Sequence, residues 1–302
     1  MPTSKRNGIV VTGTSTGIGH ACALRLVQEG FTVFAGVRKL TDANALRAAA
    51  PDRIVPLQLD VTVRESIVRA AHAVTDALRE RGERLVGLVN NAGIGLSGPL
   101  EFLRLDDIER LLDVNVLGQI AVTQAFLPLL RQSRGRIVNI CSVGDRIAIP
   151  FGGVLNATKS AFAMISESLR MELRPWGLRV VIIEPGAILT PALEKTLGDP
   201  DGALRRMDGA AEHYYGRLFR NFTERAAATE RAGSPPEVVA DAVLHAVSDP
   251  RPKQRYVVGK NAGVLALLPR VVPSRLLDRL RMKLFGLPTQ FGALSESLGR
   301  AA

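Results

Sequence analysis

The stretch that decides the fold reads Gly8-Ile9-Val10-Val11-Thr12-Gly13-Thr14-Ser15-Thr16-Gly17-Ile18-Gly19, and an amphipathic run from Ile18 to Gln28 follows at once. A short apolar strand, a glycine-rich turn and a helix start are thus packed into twelve residues. Glycine lets the backbone turn sharply and come close to a pyrophosphate, whose charge is favoured by the free N–H groups of a helix start. Gly13, Ser15, Thr16, Gly17, Ile18 and Gly19 are therefore candidates for a phosphate loop. The order is Gly-xxx-Gly-x-Gly rather than the commoner Gly-x-Gly-xx-Gly, and a glycine-rich turn after a strand is also read as punctuation.

Outward from this unit the same rhythm repeats. Strand-like runs fall at Gly8–Thr12, Thr32–Ala35, Ile54–Leu59, Leu85–Asn90, Arg136–Cys141, Leu178–Ile183 and Arg255–Val258. Helical patterns lie between most of them, as at Ser66–Arg79, Ile108–Leu130 and Ala161–Leu173. Alternation of buried strands with helices predicts an α/β fold: a Rossmann-type, doubly wound parallel sheet of about seven strands with helices on both faces, in a single domain. Ligands of such sheets sit at the carboxyl ends of the strands. Residues 1–260 form this domain, and the long mixed interval 190–234, where the strand rhythm is lost, reads as a substrate lid or else a passive excursion. Residues 261–302 read as a basic amphipathic C-terminal extension.

The second strand continues Val33-Phe34-Ala35-Gly36-Val37-Arg38-Lys39. A small residue stands where a carboxylate would bind a ribose 2′-hydroxyl, and two cations follow, which favours a 2′-phosphate and hence NADP(H) over NAD(H). The alternative is that Arg38 and Lys39 open a solvated loop. Asp60 and Val61, ending the third strand, are candidates for the adenine edge, with helix capping by Asp60 or Thr62 as the structural alternative.

The 302 residues, 46% hydrophobic and 23% charged, suffice for a full core and exclude collagen-like and disordered classes. No apolar run reaches the roughly 18–20 residues of a membrane span, and the polar start runs straight into the first strand, so the chain reads as intracellular and cytoplasmic. Cys22 and Cys141 lack disulfide or zinc spacing, and none of the four histidines pairs with a suitable ligand, so no metal site is expected. Of the net charge of +10, residues 251–302 carry ten Lys/Arg against two Asp/Glu. They show none of the zinc-finger, RNP or aromatic patterns of a nucleic-acid module, and no nucleic-acid partner is expected.

Further motifs follow in order: Asn90-Asn91-Ala92-Gly93, Asn115, Ser142, Lys159, and Pro185-Gly186 with Thr190, with 27 residues from Asn115 to Ser142 and 17 from Ser142 to Lys159. In motif order and spacing the chain resembles short-chain dehydrogenases/reductases over almost all of residues 8–260. Leu85–Ile94 and Arg255-Tyr256-Val257-Val258-Gly259 with the basic apolar tail resemble the retinol and hydroxysteroid branches. The resemblance implies a lipophilic secondary alcohol or ketone as substrate. It implies that Asn91, Ala92 and Gly93 line the coenzyme ribose, that Asn115 holds a helix kink and a water, and that Ser142 polarises the substrate oxygen. Lys159 would bind the nicotinamide ribose, and Pro185, Gly186, Ile188 and Thr190 would cradle the nicotinamide. It also implies a homodimer or homotetramer paired through the long helices near Leu111–Leu130 and Ala161–Leu173.

One position departs from the family pattern. Its catalytic segment reads Tyr-xxx-Lys on one helix, and four residues before Lys159 stands Leu155. The 13 residues from Ser142 to Leu155 keep the family's spacing, so the tyrosine is replaced, not displaced. Leucine has no transferable proton. Asn156 lies about 100° around a helix and its amide does not titrate. The phenols of Tyr214 and Tyr215, in the lid interval, are either substitutes or an apolar wall, and a water fed by Lys159 and Asn115 is a further route. Two readings stay open: an NADP(H)-linked oxidoreductase with impaired or unconventional proton transfer, and a catalytically inactive nucleotide-binding pseudoenzyme. In the tail, Leu265 to Phe285 mixes leucines with arginines, a pattern that suits either peripheral membrane contact through 261–285 or packing on the protein body.

Overall fold

The structure, a computed structural model, describes residues 7–291. Seven strands, β1 (Asn7–Thr12), β2 (Thr32–Val37), β3 (Ile54–Gln58), β4 (Arg84–Asn90), β5 (Arg136–Ile140), β6 (Arg179–Pro185) and β7 (Arg255–Val258), form one parallel sheet in the order β3-β2-β1-β4-β5-β6-β7. Every strand run expected from sequence is a strand, with ends moved by one or two residues. The pleat sends Ile9 and Val11 to one face and Val10 to the other. On the first face Cys22 and Leu26 of α1 (Gly17–Gln28) and Val239 and Val243 of α10 (Glu237–Ser248) cover the strands. On the second, Val74 and Leu78 of α3 (Arg64–Arg81) and Val122 and Phe126 of α5 (Gly118–Ser133) do so. Each large side chain so removed from water contributes about 1.5–3 kcal/mol, which explains why parallel strands read as unbroken apolar runs. Cys22 and Cys141 are buried free thiols, both pushed up to about 12 by desolvation.

The expected helix at Ile108–Leu130 is longer and interrupted: α4 (Leu105–Leu112) passes through a π turn at Asp113–Leu117 into α5. Contrary to the sequence reading, residues 105–133 are by length and composition apolar enough to cross a bilayer. Uncharged Asn115, Gln119 and Thr123 break up the apolar run to the eye without making it polar on average. Here one side of the run packs in the core, with Leu111, Phe126 and Leu130 fully buried, while Leu105, Leu112 and Leu117 are exposed.

The interval 190–234 is not irregular. It folds into α7 (Ala192–Leu197), α8 (Pro200–Arg205) and α9 (Gly209–Arg231). Asp199 and Asp208 cap the last two, accepting hydrogen bonds from Gly202 N at 2.7 Å and Ala210 N at 2.9 Å. Phe219 and Phe222 of α9 are buried with Phe285, whose ring lies 5.1 Å from that of Phe222. The extension, α11 (Ala262–Val271) and α12 (Ser274–Leu284), is joined to α9 through this contact. The part of the expected extension at 292–302 lies outside the described residues.

Candidate functional site

The strand order reverses at β1, whose neighbours are β2 on one side and β4 on the other, and ligand crevices open at the carboxyl ends of such strands. There the two expected loops meet. Thr12 Oγ1 accepts hydrogen bonds from Asn91 N and Ala92 N, both at 2.9 Å, while Asn91 Nδ2 donates to the carbonyls of Thr12 at 2.9 Å and Gly13 at 3.1 Å. Gly13 and Gly17 have φ of +68° and +61°, which favour glycine. A Cβ on Gly19 would lie 2.2 Å from Gly13 O and 2.4 Å from Asn91 Nδ2, so the helix reaches the loop only because that position is bare. No side chain caps the start of α1 and its first turn has no acidic residue, leaving its N–H groups and positive dipole end to an anion. Ser15 and Thr16 are exposed at this mouth. The cradle fits a pyrophosphate.

On the adenosine side Gly36 is enclosed: a Cβ there would come within 3.0 Å of Val11 O, and Gly36 O accepts from Thr14 N and Thr14 Oγ1. Arg38 and Lys39 follow β2 at the exposed edge of the crevice. Asp60 stands at the end of β3, where its Oδ1 accepts from Thr62 N at 2.9 Å and Thr62 Oγ1 at 2.7 Å, a turn-closing role that competes with contact to a base. Val61 is buried with its carbonyl against Gly118.

The remaining candidates gather between β5, the π turn and α6 (Gly153–Leu173). Ser142 Oγ accepts from Gly144 N at 3.0 Å and reaches Pro185 O only at 3.5 Å, a contact too long to hold the hydroxyl. Asn115, buried in the π turn, pairs through both amide atoms with the backbone of Ile94 and donates to Thr158 Oγ1 at 3.2 Å. Thr158 Oγ1 in turn donates to Leu155 O at 2.7 Å. π turns commonly mark functional sites, and here the turn aims Asn115 at α6. Lys159 Nζ donates to Ile140 O at 3.1 Å, and desolvation lowers its pKa below the ordinary lysine value against the pull of Cys141 and Asp145. Its Nζ is 3.9 Å from where a Cβ on Gly93 would be, so the ammonium borders the Asn91–Gly93 loop. Leu155 is one helical turn earlier on the same helix and partly exposed. Asn156 is committed, donating from Nδ2 to Ile147 O at 2.8 Å.

The loop after β6 closes the crevice: Thr190 Cβ would sit 3.3 Å from a Cβ on Gly17, Gly186 N donates to Val258 O, and Ile188 N donates to Glu230 Oε2 of α9 at 3.2 Å. Residues of α9 also enter an aromatic cluster that the sequence only partly signals. Tyr215 Oη donates to Glu101 Oε2 at 3.0 Å, and its ring meets Phe102 at 5.9 Å and Phe151 at 6.2 Å. Tyr214 is exposed, its ring 6.5 Å from that of Phe102. Phe151, at φ +57°, packs on Phe219 and Phe222, and nothing in the sequence signals that backbone conformation. Also unforeseen is a buried charge cluster behind Ser142 and Pro185. Fully buried Glu184 is gripped by Arg146, at 2.7 Å to Oε2, and by Arg255, which also reaches Asp145 at 3.2 Å and Glu167 at 2.8 Å. Removing either arginine would leave the buried Glu184 and Asp145 carboxylates sharing one cation, so the cluster ties the loop after β5 to the end of β6.

The crevice, the order of its loops and the sheet agree with one family. The short chain dehydrogenase family model matches residues 7–200. The chain belongs to the short-chain dehydrogenase family. It is 37% identical to mouse retinol dehydrogenase 5, over 93% of this chain and 90% of that protein. It is 37% identical to human 17-beta-hydroxysteroid dehydrogenase type 1, over 83% and 77% of the two chains. Among solved structures, a short-chain dehydrogenase from Streptomyces avermitilis superposes with a TM-score of 0.69 at 27% identity, covering 98% of both chains. The relatives are named as dehydrogenases, and in this chain Leu155 stands four residues before Lys159 on α6.

Proposed function

We propose that this short-chain dehydrogenase is an NADP(H)-linked oxidoreductase for a lipophilic secondary alcohol or ketone in which proton transfer is impaired or rerouted. The observation that carries the reading is that Asn115 Oδ1 and Lys159 Nζ both border Gly93 beside an intact glycine cradle, with Ser142 two residues after the carbonyl that Lys159 bonds and Leu155 one turn before the lysine. The bound coenzyme supplies or accepts the hydride. Ser142 Oγ, weakly held by Pro185 O, is available to hydrogen-bond the substrate oxygen. Lys159, which donates to Ile140 O, would hold the hydroxyls of the nicotinamide ribose, and its positive charge would lower the pKa of a hydroxyl beside it. Asn115 fixes the α6 turn through Thr158. An alkoxide formed on reduction still requires a proton, and Leu155 provides none. Loss of a positioned acid typically costs about two to four powers of ten in rate. The aromatic cluster of Phe102, Phe151 and Tyr215, together with the relatives named for retinol and for hydroxysteroids, supports an apolar substrate.

The same leucine favours a second reading, a nucleotide-binding protein that has lost its chemistry. Both readings expect NADPH fluorescence to change on binding. Only the first expects coenzyme oxidation with a panel of retinoids, steroids and aliphatic ketones, and its absence throughout, in the Leu155→Tyr form as well, would remove the enzyme.

Coenzyme choice is tested at Arg38. Replacing it with Asp should weaken NADPH binding relative to NADH by roughly tenfold or more, the range of a lost charge-assisted hydrogen bond to phosphate. An unchanged ratio in fluorescence titrations would return Arg38 to the role of a solvated loop residue. Oligomer formation belongs to the same reading: Leu112 and Leu117 near the π turn and Met164 and Met171 on α6 are exposed apolar side chains on the two long helices. Light scattering should give a dimer or tetramer, and Met164→Glu with Met171→Glu a smaller species. A wild-type monomer would refute the pairing.

A further inference from the structure

The C-terminal helix α12 carries three parallel stripes, each repeating every four residues. Leu277, Arg281 and Phe285 face inward: Leu277 and Phe285 are 4% and 8% exposed, and Arg281 pairs with Asp278. Leu276, Leu280 and Leu284 form the next stripe, about 100° earlier around the helix, and are 47–54% exposed. Arg275, Arg279 and Lys283 form the third, exposed and adjacent to the leucines. Preceding α11 repeats the arrangement, burying Ala262 and Ala266 while exposing Val264, Leu267 and Val271 and ending in exposed Arg270. Phe291 is fully exposed just beyond α12.

Helices packed on a protein body by one stripe normally turn polar residues to water. Here α12 spends its inward stripe on the body, which holds it through Phe285 against Phe222 and through Arg225 Nη1 donating to the carbonyls of Lys283 and Leu284. A second apolar stripe still points outward beside a row of cations. We infer that the outward face of α11 and α12 is a docking surface for an anionic lipid bilayer, on which the protein rests without spanning. Charge decides the occupant. The segment 262–287 holds Arg270, Arg275, Arg279, Arg281 and Lys283 against a single acid, Asp278, so a second copy would bring like charges together, whereas an anionic headgroup layer neutralises them while leucines and valines enter the acyl boundary.

The test is sedimentation with phosphatidylcholine vesicles, with and without phosphatidylglycerol, using the full chain. Two variants accompany it: Leu276→Asp, Leu280→Asp, Leu284→Asp, and Arg275→Glu, Arg279→Glu, Lys283→Glu, each checked for retained fold by circular dichroism. All six positions are exposed, so the core is spared. The wild type should pellet with anionic vesicles and be released by salt. Each variant should bind more weakly, the charge variant by at least about 100-fold, from about fivefold per lost cation before the repulsion of the added carboxylates. Wild type left in the supernatant would overturn the proposal, as would equal pelleting of wild type and both variants. Self-association abolished by the Asp variant, without vesicle binding, would assign the face to a second copy and also overturn it.

Discussion

Leu155→Tyr should raise turnover by roughly two to four powers of ten, because it restores a proton donor one helical turn from Lys159 in a site whose other members are in place. The gain should fall on kcat, with NADPH affinity changed by no more than a few-fold, since Leu155 makes none of the cradle's hydrogen bonds. It should also create a pH limb absent from the wild type. Oxidation of an alcohol needs the phenolate, so its rate rises with pH up to the phenol's pKa. Reduction needs the phenol, so its rate falls over the same range. The nearby Lys159 cation places that midpoint below the ordinary tyrosine value of about 10. Steady-state rates of both forms across pH with a steroid or retinoid substrate supply the check. No gain despite retained coenzyme binding would mean that the site has lost more than its acid.

Gly19→Ala should abolish coenzyme uptake at concentrations that saturate the wild type, a loss of about 100-fold or more. The new methyl would sit 2.2 Å from Gly13 O and 2.4 Å from Asn91 Nδ2, and those two atoms are bonded to one another at 3.1 Å. Neither is the loose end of a flexible side chain, so the clamp between the glycine turn and the Asn91 loop must open. Overpacking of this kind costs about 1–3 kcal/mol, visible as a lower Tm. Gly263→Ala, where a Cβ meets nothing within 4 Å, is the control: it lies in α11 and should leave NADPH binding unchanged and not lower the Tm. Equal NADPH titration curves for Gly19→Ala and the wild type would refute the cradle.

The sheet was legible because parallel strands buried on both faces must be apolar throughout, and Ile9–Val11, Leu85–Val89 and Val180–Ile183 have few other ways to fold. The phosphate turn was legible because positive φ at Gly13 and Gly17 and the bare approach at Gly19 demand one residue type. The helices of 190–234 were less so. Their caps, Asp199 and Asp208, are written in the sequence, but α9 is stabilised by Phe151 and Phe285, which are remote in the chain. The same remoteness hid the Glu184 cluster, since Asp145, Glu167 and Arg255 look like solvated charges until the fold brings them together. Replacement of the acid was legible by counting back from Lys159. What the sequence could not convey is that Asn156 and the Tyr215 phenol, its nearest substitutes, are each tied to another partner.

Calorimetric titration of NADPH into the wild-type chain decides whether the crevice grips a reduced pyridine nucleotide with Leu155 four residues before Lys159. One equivalent per chain should bind, more tightly than NADH. Absence of heat and of saturation with both coenzymes would contradict the account.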